Sequence, residues 1–258
     1  MRYSMREIKQ SLSVEKNKDD SYWAQFVVRK ISWPFTYVLV NAGMSAWTAS
    51  ILSILIAVIS CALLCIDMEA LRWIGVIGIE MWLVMDAVDG NIARVRKTAS
   101  PMGEFIDAES GYFMSAFVYF SLGMAAYFTS SLLPEEWRFL WIVFGAVASI
   151  SNILPRLIHQ KYIAVVLNAD MEQKDFMKKT ERKKGAFQFI RRRIGKELGL
   201  SGLFMPLLIF GQIFKIYDWI CAFYLLFSLA ALAGTTLMYS IKAKTPNAVS
   251  KQGGDGIC

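Results

Sequence analysis

Blocks of about twenty consecutive apolar residues recur along this chain, and they constrain its fold more than any other feature. A helix of that length crosses the ~30 Å hydrocarbon core of a bilayer while satisfying its own backbone hydrogen bonds. Hydrophobic residues make up 55% of the 258 residues, which is too many for an ordinary soluble domain. The pattern predicts an all-α integral membrane protein in which six transmembrane helices follow an N-terminal amphipathic interfacial helix. The predicted spans are 46–66, 71–93, 103–128, 137–158, 200–216 and 219–241.

The polar segments divide the chain around this membrane domain. The predicted parts are a loose N-terminus (1–20), an interfacial segment (21–45), the six-helix domain (46–241) with a basic loop (159–199), and a tail (242–258). The charged first segment predicts no secretory signal peptide. Apolar residues at helical spacing in 21–33, with basic residues beside them, predict a helix lying in the membrane interface. Pro34 is expected to end that helix.

Basic residues predict the orientation of the spans. Of the 28 Lys and Arg residues, all but Arg72, Arg138 and Lys215 fall on the side that holds both termini and the long loop. Because Lys and Arg accumulate on the cytoplasmic side, we expect a multi-pass protein of the cytoplasmic (inner) membrane with both termini in the cytoplasm. Anionic membrane lipids account for the net charge of +7, and no nucleic-acid partner is expected.

Acidic residues stand at helical spacing within two apolar spans. Asp86 and Asp89 lie on one face of the second span, and Asp107 lies at a similar depth on the third. An unpaired carboxylate in hydrocarbon costs at least about 2.5 kcal/mol, so these acids need compensation. They either share a divalent cation or face water and pair with Arg94 and Arg96. Carboxylates without His or Cys favour Mg²⁺, Mn²⁺ or Ca²⁺ over Zn²⁺.

A short connection joins these two spans, so we expect the second and third helices to be neighbours with their acids converging. Gly90 leaves the backbone open on the acid-bearing face, and basic residues at 94, 96 and 97 form a positive rim. A metal, an open backbone and a positive rim together predict a phosphate-bearing substrate that enters from the cytoplasm. The alternative is a structural cluster of salt bridges. We favour it less, because the second helix supplies an acid at a matching depth and because residue 90 is a glycine.

Residues 86–111 resemble the signature of the CDP-alcohol phosphotransferase (CDP-alcohol phosphatidyltransferase) family. That signature reads D-x-x-D-G-x-x-A-R, eight residues, then G-x-x-x-D-x-x-x-D, and this chain departs from it only at the last acid, where Gly111 stands. The resemblance implies transfer of a substituted phosphate from a CDP-linked donor to an alcohol, with release of CMP, by a homodimer. By position it implies metal ligation by Asp86, Asp89 and Asp107, a cytidine pocket at Gly90 and Ala93, and Arg94 at the nucleotide end.

Gly111 stands where the resemblance implies a general base toward the acceptor hydroxyl. Four explanations stay open. Another residue is the base, and Glu104 is the candidate because it shares a helix face with the catalytic-site residue Asp107. The acceptor is already ionised, as a phosphate is. The chain binds a CDP-lipid without turning it over, or the glycine is a laboratory substitution.

A polar stripe on the fourth span predicts the acceptor pocket. Its members are Ser149, Asn152, Arg156 and His159. Asn152 and Arg156 would bind the acceptor, and the guanidinium would hold an anionic group. Arg191 in the basic loop is a further candidate for a phosphate ligand. The alternatives are hydrogen bonding between helices for the stripe and a solvated basic segment near anionic lipid for the loop.

Glu80 is a further ionisable residue, two turns before Asp86 in the middle of the second span. Such a residue is a functional candidate by default. We favour instead a protonated carboxyl that is hydrogen-bonded to a neighbouring helix.

These features together predict a transferase of phospholipid or glycolipid biosynthesis that uses Mg²⁺ or Mn²⁺. The favoured donor is CDP-diacylglycerol, because the site lies at the lipid boundary, and a soluble CDP-alcohol stays open. The acceptor is a small alcohol or a phosphorylated alcohol. The alternatives are a CDP-lipid-binding protein without turnover and a transporter that uses the buried acids.

Overall fold

The computed structural model describes residues 2–13, 17, 19–169 and 193–244, so Arg191 and the predicted tail beyond 244 lie outside the described residues. The described residues are helical and include no strand. The α-helices are α1 (Met5–Gln10), α2 (Arg29–Asn41), α3 (Ala46–Leu64), α4 (Glu69–Arg96), α5 (Pro101–Thr129), α6 (Phe139–Ala169), α7 (Met205–Phe214) and α8 (Tyr217–Lys244). A π turn precedes α2 (Ala24–Val28) and another precedes α7 (Leu200–Phe204), and a 3-10 turn (Glu135–Trp137) precedes α6.

The predicted all-helical membrane architecture is confirmed. Within the described residues, five helical stretches are long and apolar enough to cross a membrane: Ala46–Leu64, Pro101–Thr129, Glu135–Val165, Arg193–Phe214 and Tyr217–Ile241. The remaining predicted span is α4, which has 28 residues. Ionisable residues interrupt its apolar sequence, and two of them, Arg72 and Asp89, are buried in the bundle. The count of six therefore depends on α4, in which Arg72 and Asp89 are turned inward while Glu69 is exposed at its start.

Helix α3 is the central element of the acid-bearing end, because α4 and α5 both pack along it. Small residues of α3, among them Ser50, Ser53 and Ala57, are buried and let the neighbouring helices approach closely. Helices α4 and α5 have little direct contact. The expectation that the second and third helices are neighbours is therefore wrong, because the first span lies against both, although their acids do converge on one cleft.

Helices α5 and α6 cross at a pair of glycines. A Cβ atom on Gly123 would lie 2.4 Å from the Trp141 carbonyl oxygen, and one on Gly145 would lie 2.6 Å from the Tyr119 carbonyl oxygen. Only glycine tolerates so close a backbone approach. This crossing fixes how the later part of α6, with Arg156, lies against α5.

Helix α2 packs against α4, and hydrogen bonds from Asn91 of α4 connect the two helices. The amide nitrogen of Asn91 donates hydrogen bonds to Thr36 Oγ1 at 3.0 Å and to Ser32 Oγ at 3.3 Å. Pro34 lies inside α2, so the expectation that it ends the interfacial helix is wrong. Proline leaves the carbonyl of Lys30, four residues earlier, without its helical partner, and Lys30 is exposed, so water can hydrate that oxygen.

The fifth predicted span is a broken helix made of the π turn and α7. The chain kinks at Gly202, where a Cβ atom would lie 2.2 Å from the Glu197 carbonyl oxygen. Gln212 is buried, and its side-chain oxygen accepts a hydrogen bond from the Tyr217 hydroxyl at 2.8 Å. The amide oxygen is thus satisfied, whereas Nε2 is buried with no hydrogen-bond partner among the described residues. Before this span, α6 continues to Ala169, into the predicted loop 159–199.

Candidate active site

An open cleft of about 1040 Å³ lies where α4 ends and α5 begins. Its walls come from the N-terminal segment, α3, α4, the α4–α5 connection, the start of α5 and residues before α7. The predicted site residues that line it are Asp86, Asp89, Gly90, Ala93, Arg94, Glu104 and Asp107. The structure thus brings the residues expected on the donor side into one cavity.

The three aspartates of the cleft interact with one another. The carboxyl groups of Asp86 and Asp107 share a side-chain hydrogen bond between α4 and α5, and the charge of Asp89 acts on both. Asp89 is only 4% exposed, and its Oδ2 accepts a hydrogen bond from Ser50 Oγ at 2.5 Å. Two carboxyl groups in such contact cannot both stay ionised without a shared proton or a cation between them.

The donor atoms of this cluster fit a hard divalent cation, because carboxylate oxygens are the ligands that Mg²⁺ and Mn²⁺ prefer. Across the described ranges, however, no three acidic, histidine or cysteine side chains stand ready to hold a metal. Asp89 is turned toward Ser50, whereas Asp86 and Asp107 face each other. The hydrogen bond from Ser50 uses Asp89 Oδ2, so a cation held by all three aspartates would keep that bond only if it binds Asp89 through Oδ1.

Arg94 folds back over Gly90. A Cβ atom on Gly90 would lie 3.2 Å from Arg94 Nη1, so the glycine makes room for this guanidinium as well as for a ligand. Arg94 Nη2 donates a hydrogen bond to Asn91 Oδ1 at 2.6 Å, and Asn91 is anchored to α2. The pattern did not single out Asn91, although a fully buried amide inside the signature was a usable signal.

Two further polar residues of the cleft, Arg29 and Ser50, were also missed. Arg29 is 7% exposed, and its Nε and Nη2 lie 2.9 Å and 2.7 Å from Asp20 Oδ2. It shares a helical face with Ser32 and Thr36, three and seven residues later, and this polar stripe could have revealed it. Ser50 gave no comparable signal, because hydroxyl residues are common in apolar helices and usually bond to their own backbone.

Gly111 is not among the residues that line the cleft. Its carbonyl oxygen accepts a hydrogen bond from Arg156 Nη1 at 3.4 Å, and a Cβ atom on Gly111 would lie 3.6 Å from the same nitrogen. The Arg156 guanidinium also lies over the Tyr112 ring, 5.7 Å from its centre. An acid at position 111 would therefore stand beside a cation.

The residues of the predicted polar stripe on α6 contact different helices: Ser149 and Asn152 contact α5, and His159 contacts α8. Asn152 Nδ2 lies 3.5 Å from the Tyr119 hydroxyl on α5, and its Oδ1 is buried with no hydrogen-bond partner among the described residues. Ser149 Oγ accepts a hydrogen bond from the α5 backbone at 2.9 Å. His159 is exposed and hydrogen-bonds Tyr239 on α8. Asn152 and Arg156 do not line the cleft that holds the aspartates, so the structure does not bring the predicted acceptor residues together with the donor-side residues.

Glu80 has a hydrogen bond from a neighbouring helical segment, as expected, while its Oε1 is buried without a hydrogen-bond partner among the described residues. Its Oε2 accepts from the indole nitrogen of Trp23 at 3.1 Å. The Glu80 side chain thereby connects the segment before α2 to the middle of α4.

The fold and the cleft together define a polytopic helical membrane protein with an acid-lined cavity at one end. The family model for CDP-alcohol phosphatidyltransferase matches residues 45–224. This match covers more than half of the chain, so the protein belongs to the CDP-alcohol phosphatidyltransferase family, whose members transfer phosphatidyl groups from CDP-alcohols. A comparison with curated proteins finds no match. Helices α1 and α2 precede the matched region.

Proposed function

We propose that this protein transfers a phosphatidyl or other substituted phosphate group from a CDP-linked donor, preferably CDP-diacylglycerol, to a small alcohol or phosphorylated alcohol. CMP is the leaving group. The observation that carries this proposal is the convergence of Asp86, Asp89 and Asp107 from two helices on one cleft beside Arg94. Family membership supplies the reaction class, and the cleft supplies a place for the donor's diphosphate.

On this proposal the three aspartates hold Mg²⁺ or Mn²⁺, which neutralises charge on the donor's diphosphate when bound. Ser50 orients Asp89 through its short hydrogen bond. Arg94 is held over Gly90 by Asn91 and presents its guanidinium to a phosphate oxygen. Gly90 has no side chain and Ala93 has only a methyl group, so the adjoining wall of the cleft leaves space for the flat cytosine ring.

In the transfer, the acceptor oxygen forms a bond to the donor's phosphorus while the bond from phosphorus to the CMP oxygen breaks. The acceptor hydroxyl loses its proton. On this proposal Glu104, which is exposed on the cleft wall with Asp107, takes that proton. Arg156, with Asn152 nearby on α6, would hold an anionic group of the acceptor.

The direct test is incubation of the purified protein in lipid nanodiscs with CDP-diacylglycerol, Mg²⁺ and a panel of alcohols and phosphorylated alcohols. We expect release of CMP and a new lipid, both read by mass spectrometry. Chelation of the metal and Asp86→Asn should each abolish both products. Absence of CMP release with every acceptor, in protein that still binds the donor, would reject the transferase proposal.

A second candidate is a CDP-lipid-binding protein without turnover. It is favoured by one observation: the position of the family's last acid is a glycine whose carbonyl contacts Arg156. This candidate predicts saturable, metal-dependent binding of CDP-diacylglycerol with no CMP release. The nanodisc experiment above separates it from the enzyme.

The remaining parts of the proposal are location and assembly. The basic bias supports the inner membrane, with both termini and the cleft on the cytoplasmic side. The homodimer rests on family resemblance alone. Chemical cross-linking in native membranes would test it, and a purely monomeric product would count against it.

A further inference from the structure

We propose that Arg29 forms a phosphate-binding site in the cleft together with Arg94. This inference rests on the proposed function, because it names the group that recognises the substrate's phosphate in the same cavity. Arg29 belongs to α2, which precedes the region matched by the family. The N-terminal helix would thus supply part of the substrate site.

The first observation is an unused hydrogen-bond donor on a buried charge. Arg29 is 7% exposed. Its Nε and Nη2 are directed to Asp20, whereas Nη1 is buried and has no hydrogen-bond partner in residues 2–13, 19–169 and 193–244. A buried charged donor left unbonded is destabilising, so a fold tolerates it mainly where a ligand completes the bonding.

The second observation is the position of this donor. Arg29 lines the cleft, and its charge lies close enough to Asp86 and to Arg94 to act on both. Arg94 lines the same cleft and also has a buried nitrogen, Nε, without a partner among the described residues. Two guanidinium groups so close repel each other, and an anion between them would relieve the repulsion.

Asp20 already supplies one negative charge there, because it pairs with Arg29 and acts on Arg94, but it leaves Arg29 Nη1 and Arg94 Nε without a hydrogen-bond partner among the described residues. The other aspartates of the cleft have partners of their own. Asp89 accepts its short hydrogen bond from Ser50, and Asp86 is bonded to Asp107. Phosphate matches the planar guanidinium well, because it accepts several hydrogen bonds and carries the opposite charge. The phosphate could belong to the CDP-linked donor or to a phosphorylated acceptor, and the same chemistry recognises both.

The alternative is that Arg29 only forms a structural ion pair with Asp20. The two roles predict different outcomes for the two partners. If the pair is structural, loss of either partner should lower the melting temperature and weaken ligand binding alike. If Arg29 binds phosphate, Asp20 competes with the ligand for the guanidinium, so loss of Asp20 should leave phosphate affinity unchanged or raise it.

The experiment compares Arg29→Gln, Asp20→Asn and Lys30→Gln in the full-length protein. Lys30 is the matched control, because it is the exposed neighbouring cation and its removal changes the net charge equally. Binding of CDP, CMP, glycerol 3-phosphate and inorganic phosphate is measured by calorimetry at fixed salt and Mg²⁺. We expect Arg29→Gln to weaken binding of at least one phosphate ligand about tenfold or more, the effect of losing one charge-assisted hydrogen bond. We expect Lys30→Gln to match the wild type.

The ligand that loses affinity identifies the source of the phosphate. A selective loss for CDP assigns the site to the donor, and a selective loss for glycerol 3-phosphate assigns it to the acceptor. Unchanged binding of all four ligands in Arg29→Gln, equal losses in Arg29→Gln and Asp20→Asn, or a wild type that binds none of them would overturn the inference. A wild type that binds CDP without releasing CMP from CDP-diacylglycerol would reject the proposed transferase and leave the Arg29 site standing.

Discussion

The hydroxyl group of Ser50 decides where a predicted metal ligand points. Its hydrogen bond to Asp89, at 2.5 Å, is formed between two buried side chains from different helices. A carboxylate held in this way keeps one orientation, and hydrogen bonds to metal ligands commonly affect affinity by about 10–100-fold.

Ser50→Ala should therefore raise the Mg²⁺ concentration needed for half-maximal CDP binding by about tenfold, and Ser50→Thr should largely restore it. Calorimetric titration of CDP at several Mg²⁺ concentrations measures this. Ser53→Ala is the matched control, because it removes a hydroxyl from the same helix that bonds Ser110 and not Asp89. An equal shift in both alanine variants would mean that packing, and not orientation of Asp89, is responsible.

The contact between Arg156 and the Gly111 carbonyl oxygen also has a functional consequence. Gly111→Asp would place a carboxylate next to Arg156 Nη1, since a Cβ atom fits there at 3.6 Å. We expect the new ion pair to neutralise Arg156, so that KM for a phosphorylated acceptor rises about tenfold or more while kcat does not increase.

Steady-state CMP release measures both constants. Gly111→Ala is the control, because it adds the Cβ atom without the charge. A higher kcat in Gly111→Asp alone would show that a missing general base limits the wild-type protein. It would also count against a role for Arg156 in holding an anionic acceptor group.

The predictable part of the candidate site lies on single helices. Asp86 and Asp89 follow from spacing along one helix, because its periodicity fixes which residues share a face. Arg94 follows from the resemblance to the family signature. Spacing on α2 could mark Arg29 as part of a polar face, but it could not place Arg29 beside the acids, and Ser50 carried no comparable signal. Their proximity to the acids depends on which faces α2 and α3 turn toward α4, and packing between helices decides that.

At the scale of elements, the Gly123–Gly145 crossing sets the distance between α5 and α6. Gly123→Leu would drive a side chain into the Trp141 carbonyl oxygen, which lies 2.4 Å from the Cβ position. We expect a loss of about 1–3 kcal/mol or more in stability, seen as a lower melting temperature in detergent.

The matched control is Gly234→Leu on α8, where nothing lies within 4 Å of the Cβ position. It should melt close to the wild type. Similar melting temperatures for the two leucine variants would show that the two helices can move apart without loss, contrary to the close crossing.

Hydropathy located the elements well but could not determine their neighbours. Each predicted span corresponds to helical structure, because about twenty apolar residues are a strong signal on their own. The short loop between α4 and α5 suggested that they pack together, yet both lie against α3. Loop length brings helix ends together, whereas small buried residues such as Ser53 and Ala57 determine which surfaces meet.

At the scale of the whole molecule, charge is distributed unequally between the two ends of the bundle. Glu136 lies just before α6, and Lys161 lies in the later part of α6. The basic bias predicts that these two residues are on opposite sides of the membrane. In cysteine-free protein, Glu136→Cys should react with an impermeant thiol reagent added to intact cells. Lys161→Cys should react only after the membrane is opened. The reverse pattern would place the cleft outside the cell.

The mouth of the cleft is assembled from distant parts of the chain. Ser21 donates a hydrogen bond to the carbonyl oxygen of Ser201, and Lys196 forms an ion pair with Asp19. Because a ribosome makes the chain from its N-terminus, the helices that carry the aspartates are synthesised well before residues 196–201 exist. A nascent chain therefore inserts these acids into the bilayer with the cleft still incomplete, and the cleft closes only when synthesis has reached its last third.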